Sequence, residues 1–167
     1  VIFEGEIDMI PRCAFMECTK LNNVNIPFVV DSIAPQAFYG CSSLRSLELP
    51  DSLRGIGEEA FFDCSALRVL KLPNRVERVG ARAFAGCSAL LLVEMPEALK
   101  IVQDSAFADC SSLVSVALSS GLELLGYSVF AGCEYLQHIV VPQANPSLAD
   151  LPSLTPYQHL VQKKDNP

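Results

Sequence analysis

The sequence predicts a solenoid of the α/β or mainly β class, a right-handed stack of 23-residue repeats with one parallel sheet. Turns or short 3-10 segments are expected on the opposite face. Three observations predict this fold. Cysteine recurs every 23 residues, phenylalanine stands three residues before each of these cysteines, and leucine stands three residues after it. The six cysteines are Cys18, Cys41, Cys64, Cys87, Cys110 and Cys133.

A short strand is predicted after the leucine of each repeat. Two apolar residues then follow with one residue between them, as Leu70 and Leu72 do, and this spacing is the period of a β-strand. Proline follows in most repeats and ends the strand, because it cannot donate a hydrogen bond to a neighbouring strand. The prolines are Pro27, Pro50, Pro73, Pro96 and Pro142, and Ser119 takes their place in the remaining repeat.

A turn is predicted around each phenylalanine and cysteine, because the segment between them is too short for a full helix. The residue before the cysteine is Gly40, Asp63, Gly86, Asp109 or Gly132 in the later repeats. Glycine and aspartate tolerate a positive φ better than β-branched residues do, which predicts that backbone conformation here. Glu17 departs from the pattern, so the first repeat is expected to be looser.

The full motif reads A-F-x-x-C-x-x-L-x-x-L-x-L-P, with apolar residues at the third and sixth positions after the proline; residues 57–80 show it whole. It closely resembles the BspA-like, or Treponema-type, leucine-rich repeat, over roughly residues 3–142. The resemblance implies a leucine-rich-repeat solenoid, a horseshoe or gently curved body. It also implies binding of other macromolecules, often at cell surfaces, without catalytic activity.

Two regions are predicted. Residues 1–142 form the solenoid of about six repeats, which begins in mid-repeat because Phe3, Ile7 and Ile10 fit the end of a preceding one. The chain is therefore expected to be a fragment or a processed protein, or to begin with a half-repeat cap. Residues 143–167 form a proline-rich tail with a short helix around 157–162. The tail is either a cap over the last coil or an arm that docks on another protein, in which Leu154, Tyr157 and Leu160 are the candidate contacts.

The repeated cysteines are predicted to be free thiols packed in the core, because no C-x-x-C pair exists and parallel coils point their thiols the same way. Cys13 lies off this position and aligns with Gln36, Glu59, Arg82, Ser105 and Ser128. It is expected to be the one exposed thiol. An accidental surface cysteine and a redox role both remain open for it.

Composition excludes several functions. A net charge of −7 and a pI near 4.7 argue against nucleic acid and anionic membranes. No apolar run approaches the ~18 residues of a transmembrane helix. His138 and His159 are the only histidines, and no catalytic set or zinc spacing includes them. We expect no enzymatic activity, cofactor, metal or small-molecule substrate.

The outward side chains of the sheet are the remaining candidates for function. Glu48, Lys71 and Glu94 are expected to form a lateral row of alternating charges. Later repeats present apolar residues instead, and exposed apolar patches usually mark contact surfaces. The candidate protein-binding residues are Val69, Leu91, Leu92, Val114, Ala117, His138 and Val140. This face would bind a protein partner or be covered by the chain's own tail.

Two functions follow. The chain is a non-enzymatic scaffolding module in a larger assembly, inside an organelle or the cytoplasm, or it is a fragment of a cell-surface adhesin that binds host or matrix proteins.

Overall fold

The computed structural model describes residues 7–163, which form a stack of coils. We number the coils one to six by their repeated cysteines. The regular elements are very short. In chain order they are β1 (Met9–Ile10), β2 (Ser32–Ile33), β3 (Gly55–Ile56), β4 (Leu70–Lys71), β5 (Arg78–Val79), β6 (Leu92–Glu94), β7 (Ile101–Val102), β8 (Ser115–Ala117), β9 (Leu124–Leu125), β10 (His138–Val141), the 3-10 helices η1 (Pro146–Asp150) and η2 (Pro152–Leu160), and β11 (Val161–Lys163).

Two parallel sheets run along the stack. One sheet, which we call the wide sheet because its strands reach four residues, has the order β4-β6-β8-β10-β11. The isolated bridges Asn25–Glu48 and Ser46–Val69 continue it into the early coils. The narrow sheet has the order β1-β2-β3-β5-β7-β9, with two residues in each strand. In both sheets, residues one repeat apart pair in register, as Val93 and Val116 do. The predicted parallel-sheet solenoid is confirmed, and the narrow sheet is an additional feature that the sequence pattern did not predict.

Turns form the side of the coil that carries the phenylalanine and the cysteine. The N–H of Phe38 donates to the carbonyl of Ala60 at 2.8 Å, and the N–H of Gly40 donates to the carbonyl of Phe62 at 2.7 Å. The same bonds recur from coil to coil. The turns therefore satisfy their backbone groups between coils, as the strands do.

Phenylalanine rings form the centre of the core. Phe38, Phe61, Phe84 and Phe107 are fully buried, and adjacent rings stack with centroids 5.1 to 5.4 Å apart. Offset stacking at such distances adds to the gain from burying apolar area. The coils consequently share one continuous core.

The repeated cysteines pack beside these rings as free thiols. Cys64 Sγ donates to the carbonyl of Phe38 in the preceding coil at 3.3 Å, and Cys87 bonds Phe61 in the same way at 3.4 Å. Cys41, Cys64, Cys87 and Cys110 are buried. Each thiol is therefore a small apolar group whose hydrogen is also satisfied.

The prediction that Cys13 is the exposed thiol is wrong. Cys13 is half-buried and its Sγ lies 3.6 Å from Gln36 Oε1, whereas Cys18 is exposed. Thiols in the later coils lie against a phenylalanine carbonyl of the preceding coil. Cys18 belongs to the first coil that the structure describes and has no described carbonyl of this kind.

The backbone before each repeated cysteine has a positive φ, as predicted. The φ values are 69° at Gly40, 54° at Asp63 and 77° at Gly86. Glu17 adopts the same conformation with φ 58°, so its departure in residue type does not alter the turn. The positions alternate between a glycine and an acidic residue for a steric reason. A Cβ on Gly86 would overlap the Asp63 carboxylate of the preceding coil, and Gly132 and Asp109 are related in the same way.

A second left-handed position in each turn was not predicted. Its six residues have φ between 52° and 60°, and none is glycine or asparagine: they are Cys13, Gln36, Glu59, Arg82, Ser105 and Ser128. The bonds between coils hold this conformation, as when the N–H of Gln36 donates to the carbonyl of Glu58 at 2.9 Å.

After β10 the chain packs against the last coil. Leu148, Ala149 and Leu154 are buried, and the Tyr157 ring meets Phe130 edge-on with centroids 6.1 Å apart. β11 then pairs with β10, at the edge of the wide sheet. The expected short helix is present as the longer 3-10 helix η2. Phe3, residues 1–6 and residues 164–167 lie outside the described part of the chain.

Candidate functional site

Four apolar side chains project from the outer surface of the wide sheet. We call Val69, Leu91, Leu92 and Val114 the apolar patch, and 67, 51, 46 and 37% of their respective surfaces are exposed. Alternation places Val69 and Leu92 there, because the next residues, Leu70 and Val93, point into the core. Leu91 and Val114 stand one residue before β6 and β8. The structure thus brings together four of the sequence-predicted contacts on one surface.

A depression of about 350 Å³ lies within this patch. Val69, Leu91 and Leu92 line it, and its rim carries charged side chains from the same strands. The charged residues are Arg68, Lys71 and Glu94. A shallow apolar recess with a charged rim suits a side chain of a macromolecular partner better than an enclosed small molecule.

The candidates in the last coils lie beside the tail. Ala117, His138 and Val140 are partly exposed on β8 and β10. The amide nitrogen of Gln162 lies 2.8 Å from His138 Nδ1. Because an amide nitrogen can only donate, Nδ1 of His138 is the acceptor. Thus β11 borders this end of the candidate surface.

The three candidates in the tail contact the solenoid itself. Leu154 is completely buried, and Tyr157 and Leu160 are half-buried against the core. Further hydrogen bonds hold the segment, including one from Gln158 Nε2 to the carbonyl of Ala149 at 2.7 Å. The side chains of these three residues are therefore engaged within the chain.

Charge is distributed unevenly over the outer surface. Lys71 pairs in register with Glu94, so opposite charges face each other across adjacent strands, as expected. Arg45 and Arg68 are exposed nearer the start of the strands, and neither forms an ion pair within residues 7–163. The ion pairs described there are Arg54–Glu77 and Arg82–Glu59.

A second recess lies on the narrow sheet. It has a volume of about 520 Å³, and Ser32, Gly55, Glu58, Arg78 and Gln103 are among its polar and backbone lining groups. Gly55 borders the open space, since a Cβ there would meet no atom within 4 Å. The sequence analysis did not predict this recess. The signal for it was Gly55, which lacks a side chain at the repeat position that Ser32 and Arg78 occupy in the neighbouring coils.

No group of three or more His, Cys, Asp or Glu side chains in the described part of the chain could hold a metal ion. Among the helices of residues 7–163, none has the length and apolar character needed to cross a membrane.

The family model for the BspA type leucine rich repeat region matches residues 8–137 in six copies. Among solved structures, a leucine rich repeat protein from T. pallidum shares 34% identity over 80% of this chain and 62% of its own, with a TM-score of 0.78. A leucine-rich repeat protein from Bacteroides ovatus shares 29% identity over 100% of this chain and 44% of its own, with a TM-score of 0.77.

A leucine rich cell surface protein from Faecalibacterium prausnitzii shares 35% identity over 70% of this chain and 31% of its own, with a TM-score of 0.65. The chain thus spans less than two thirds of the length of each of these relatives. A search of curated proteins found no match. Six matched copies cover most of the sequence, and the chain belongs to the BspA-type leucine-rich-repeat family.

Proposed function

We propose that this chain is a protein-recognition module that binds its partner through the apolar patch on the wide sheet. The observation that carries this proposal is the projection of Val69, Leu91, Leu92 and Val114 from one surface. Bonded strands fix the backbone beneath them, so binding would require little ordering of the chain. Membership of a leucine-rich-repeat family supports a role in protein interaction.

We favour a role at the cell surface over a role as a subunit of an internal assembly. The supporting observation is the Faecalibacterium relative, which is described as a cell surface protein. In this role the solenoid is a rigid, non-enzymatic support that presents the patch. The tail then stabilises the last coil and leaves the patch open.

The test compares capture of proteins by the intact chain and by two variants. The double variant Leu92→Asp/Val114→Asp places charges in the patch, at residues that are already exposed. The control Leu124→Asp alters an exposed leucine, 47% accessible, on the narrow sheet. Each chain is immobilised, and the proteins it retains from extracellular and surface extracts are quantified by mass spectrometry.

We expect a set of proteins that the intact chain and Leu124→Asp retain and the patch variant loses. An aspartate at the centre of an apolar contact must be desolvated without a partner, which weakens binding about a hundredfold. If the patch variant retained the same proteins as the intact chain, this function would be excluded.

A further inference from the structure

We infer that the partner presents an extended segment with acidic residues at one end and apolar residues at the other. The segment crosses the strands of the wide sheet over Arg45, Arg68, Leu91 and Val114. This inference rests on the proposed function and defines the chemistry of the partner.

These four residues form one column, which we call the entry column because each stands one residue before the first bridge or strand residue of its coil on this sheet. They occupy the same position in four consecutive coils. The N–H of Arg68 donates to the carbonyl of Arg45 at 3.4 Å, Leu91 bonds Arg68 at 3.4 Å, and Val114 bonds Leu91 at 3.0 Å. Three steps of ~4.8 Å give a column of roughly 14 Å, the length of about four to five extended residues.

The first half of the entry column is basic and unneutralised. Arg45 and Arg68 are exposed, and no carboxylate lies within ion-pair distance of either in the described chain. Farther along the strands the charges are balanced, because Lys71 lies between Glu48 and Glu94 in the parallel register. On the wide sheet, the unbalanced positive charge is therefore confined to the entry column, in a chain whose net charge is −7.

The second half of the column is apolar. Leu91 and Val114 are exposed, and Leu92 and Val69 extend the same surface sideways. A segment that buried apolar side chains here would exclude water beside Arg68. Lower hydration strengthens the attraction between a guanidinium and a carboxylate, which can pair through two hydrogen bonds.

The order of the two halves sets which end of the segment lies over which coils. Acidic groups lie over the early coils and apolar groups lie over the later ones. A general acidic surface would be repelled by the rest of this acidic chain, so charge complementarity in the entry column also provides selectivity.

The test uses a random displayed-peptide library as the probe, selected on the intact chain. Selected peptides are then measured by biolayer interferometry against Arg45→Glu/Arg68→Glu and against the control Arg75→Glu/Arg78→Glu. The control makes the same change in net charge at two exposed arginines outside the wide sheet. A third variant, Leu92→Asp/Val114→Asp, tests the proposed function independently.

We expect the selected peptides to be enriched in aspartate or glutamate within about five residues of an apolar pair. Their affinity falls about tenfold or more with Arg45→Glu/Arg68→Glu and less than about twofold with the control.

Three outcomes overturn the inference. If patch-dependent peptides lack acidic residues, or bind equally well to Arg45→Glu/Arg68→Glu, the proposed function stands and this inference fails. If the peptides also bind Leu92→Asp/Val114→Asp as tightly as the intact chain, the proposed function and this inference both fail. If sedimentation shows that the intact chain self-associates and the patch variant does not, a second copy occupies the patch.

Discussion

Glycine and an acidic residue alternate at the position before each core cysteine, and both members of the pair matter. Gly86 has a φ of 77° and also provides the space that the Asp63 side chain fills. A side chain at Gly86 would therefore meet two penalties, one from the backbone conformation and one from the carboxylate of the preceding coil.

We predict that Gly86→Ala lowers the free energy of unfolding by about 1–3 kcal/mol, because alanine is strained at this φ and displaces Asp63. Gly55→Ala is the matched control. It lies in a strand, outside the left-handed region, with open space around the added methyl group. It should be neutral or stabilising by up to about 1 kcal/mol. Urea titrations measure the free energy of unfolding of both variants. Equal losses for Gly86→Ala and Gly55→Ala would contradict the steric explanation.

The buried thiols make stability depend on pH. Burial raises the pKa of Cys41 to about 11, and burial also raises the pKa values of Cys64 and Cys87 well above the ordinary thiol value. The folded state therefore keeps these protons after the unfolded chain has begun to lose them near pH 9. Their stabilising contribution is complete below this pH and is lost as the pH rises above it.

We predict that the destabilisation caused by Cys64→Ala is smaller at about pH 10 than at about pH 8, by roughly 1.4 kcal/mol. The variant lacks the thiol whose ionisation in the unfolded chain favours unfolding under alkaline conditions. Urea titrations in the presence of reductant give this difference. Leu67→Ala, a buried and non-titrating control in the same coil, should cost the same at both pH values. An equal cost of Cys64→Ala at both pH values would exclude the linkage.

At the scale of elements, the tail closes the last coil. Leu154 is fully buried, and β11 supplies a hydrogen-bonding partner for β10. Stacked repeats need such a covering at their ends, since an open coil exposes core side chains and strand edges.

We predict that Leu154→Ala lowers the free energy of unfolding by about 2–5 kcal/mol, because it leaves a cavity under the tail. The exposed Leu124 gives the control, and Leu124→Ala should cost less than about 0.5 kcal/mol. Amide hydrogen exchange should show the loss of protection first in β10 and β11. Uniform loss across all coils would contradict a local role for the tail.

The two sheets differ in how far the sequence could predict them. The wide sheet follows a motif with two apolar residues two apart, which is long enough to show a strand period. The narrow sheet has a single core residue in each strand, such as Ile33, Ile56 or Val79, and one residue carries no periodicity. Its strands are defined by bonds between coils, which a local pattern cannot reveal.

At the scale of the whole molecule, the phenylalanine core joins the coils into one body. Each ring contacts rings of the neighbouring coils, so the stability of one coil depends on the next. A defect in the centre removes contacts on both of its sides.

We predict that Phe84→Ala lowers the free energy of unfolding by about 3–5 kcal/mol. Hydrogen exchange should then be fastest in the third to fifth coils, because stacking is interrupted there. Phe28→Ala is the control and should have little effect, since Phe28 is 85% exposed. Loss of stability without local exchange would favour global unfolding over repeat-by-repeat behaviour.

The candidate site was only partly predictable. Periodicity alone identifies the outward positions of the wide sheet, so Leu92 and Val114 follow from the spacing of the repeat. The tail residues do not, because nothing local shows whether Leu154 packs on its own chain or on another protein. The left-handed backbone conformation of Gln36 and Glu59 could not be predicted from the sequence either. These residue types do not favour it, and hydrogen bonds between coils impose it.

Because glycine and aspartate alternate before the core cysteines, the steric pattern of the stack repeats every two coils rather than every coil. Deleting the coil that contains Gly86 would bring Asp63 directly beneath Asp109, with like charges competing for the same space. Removing two adjacent coils would keep every small residue opposite a large one. Natural or engineered changes in the length of this solenoid should therefore occur in pairs of 23-residue units.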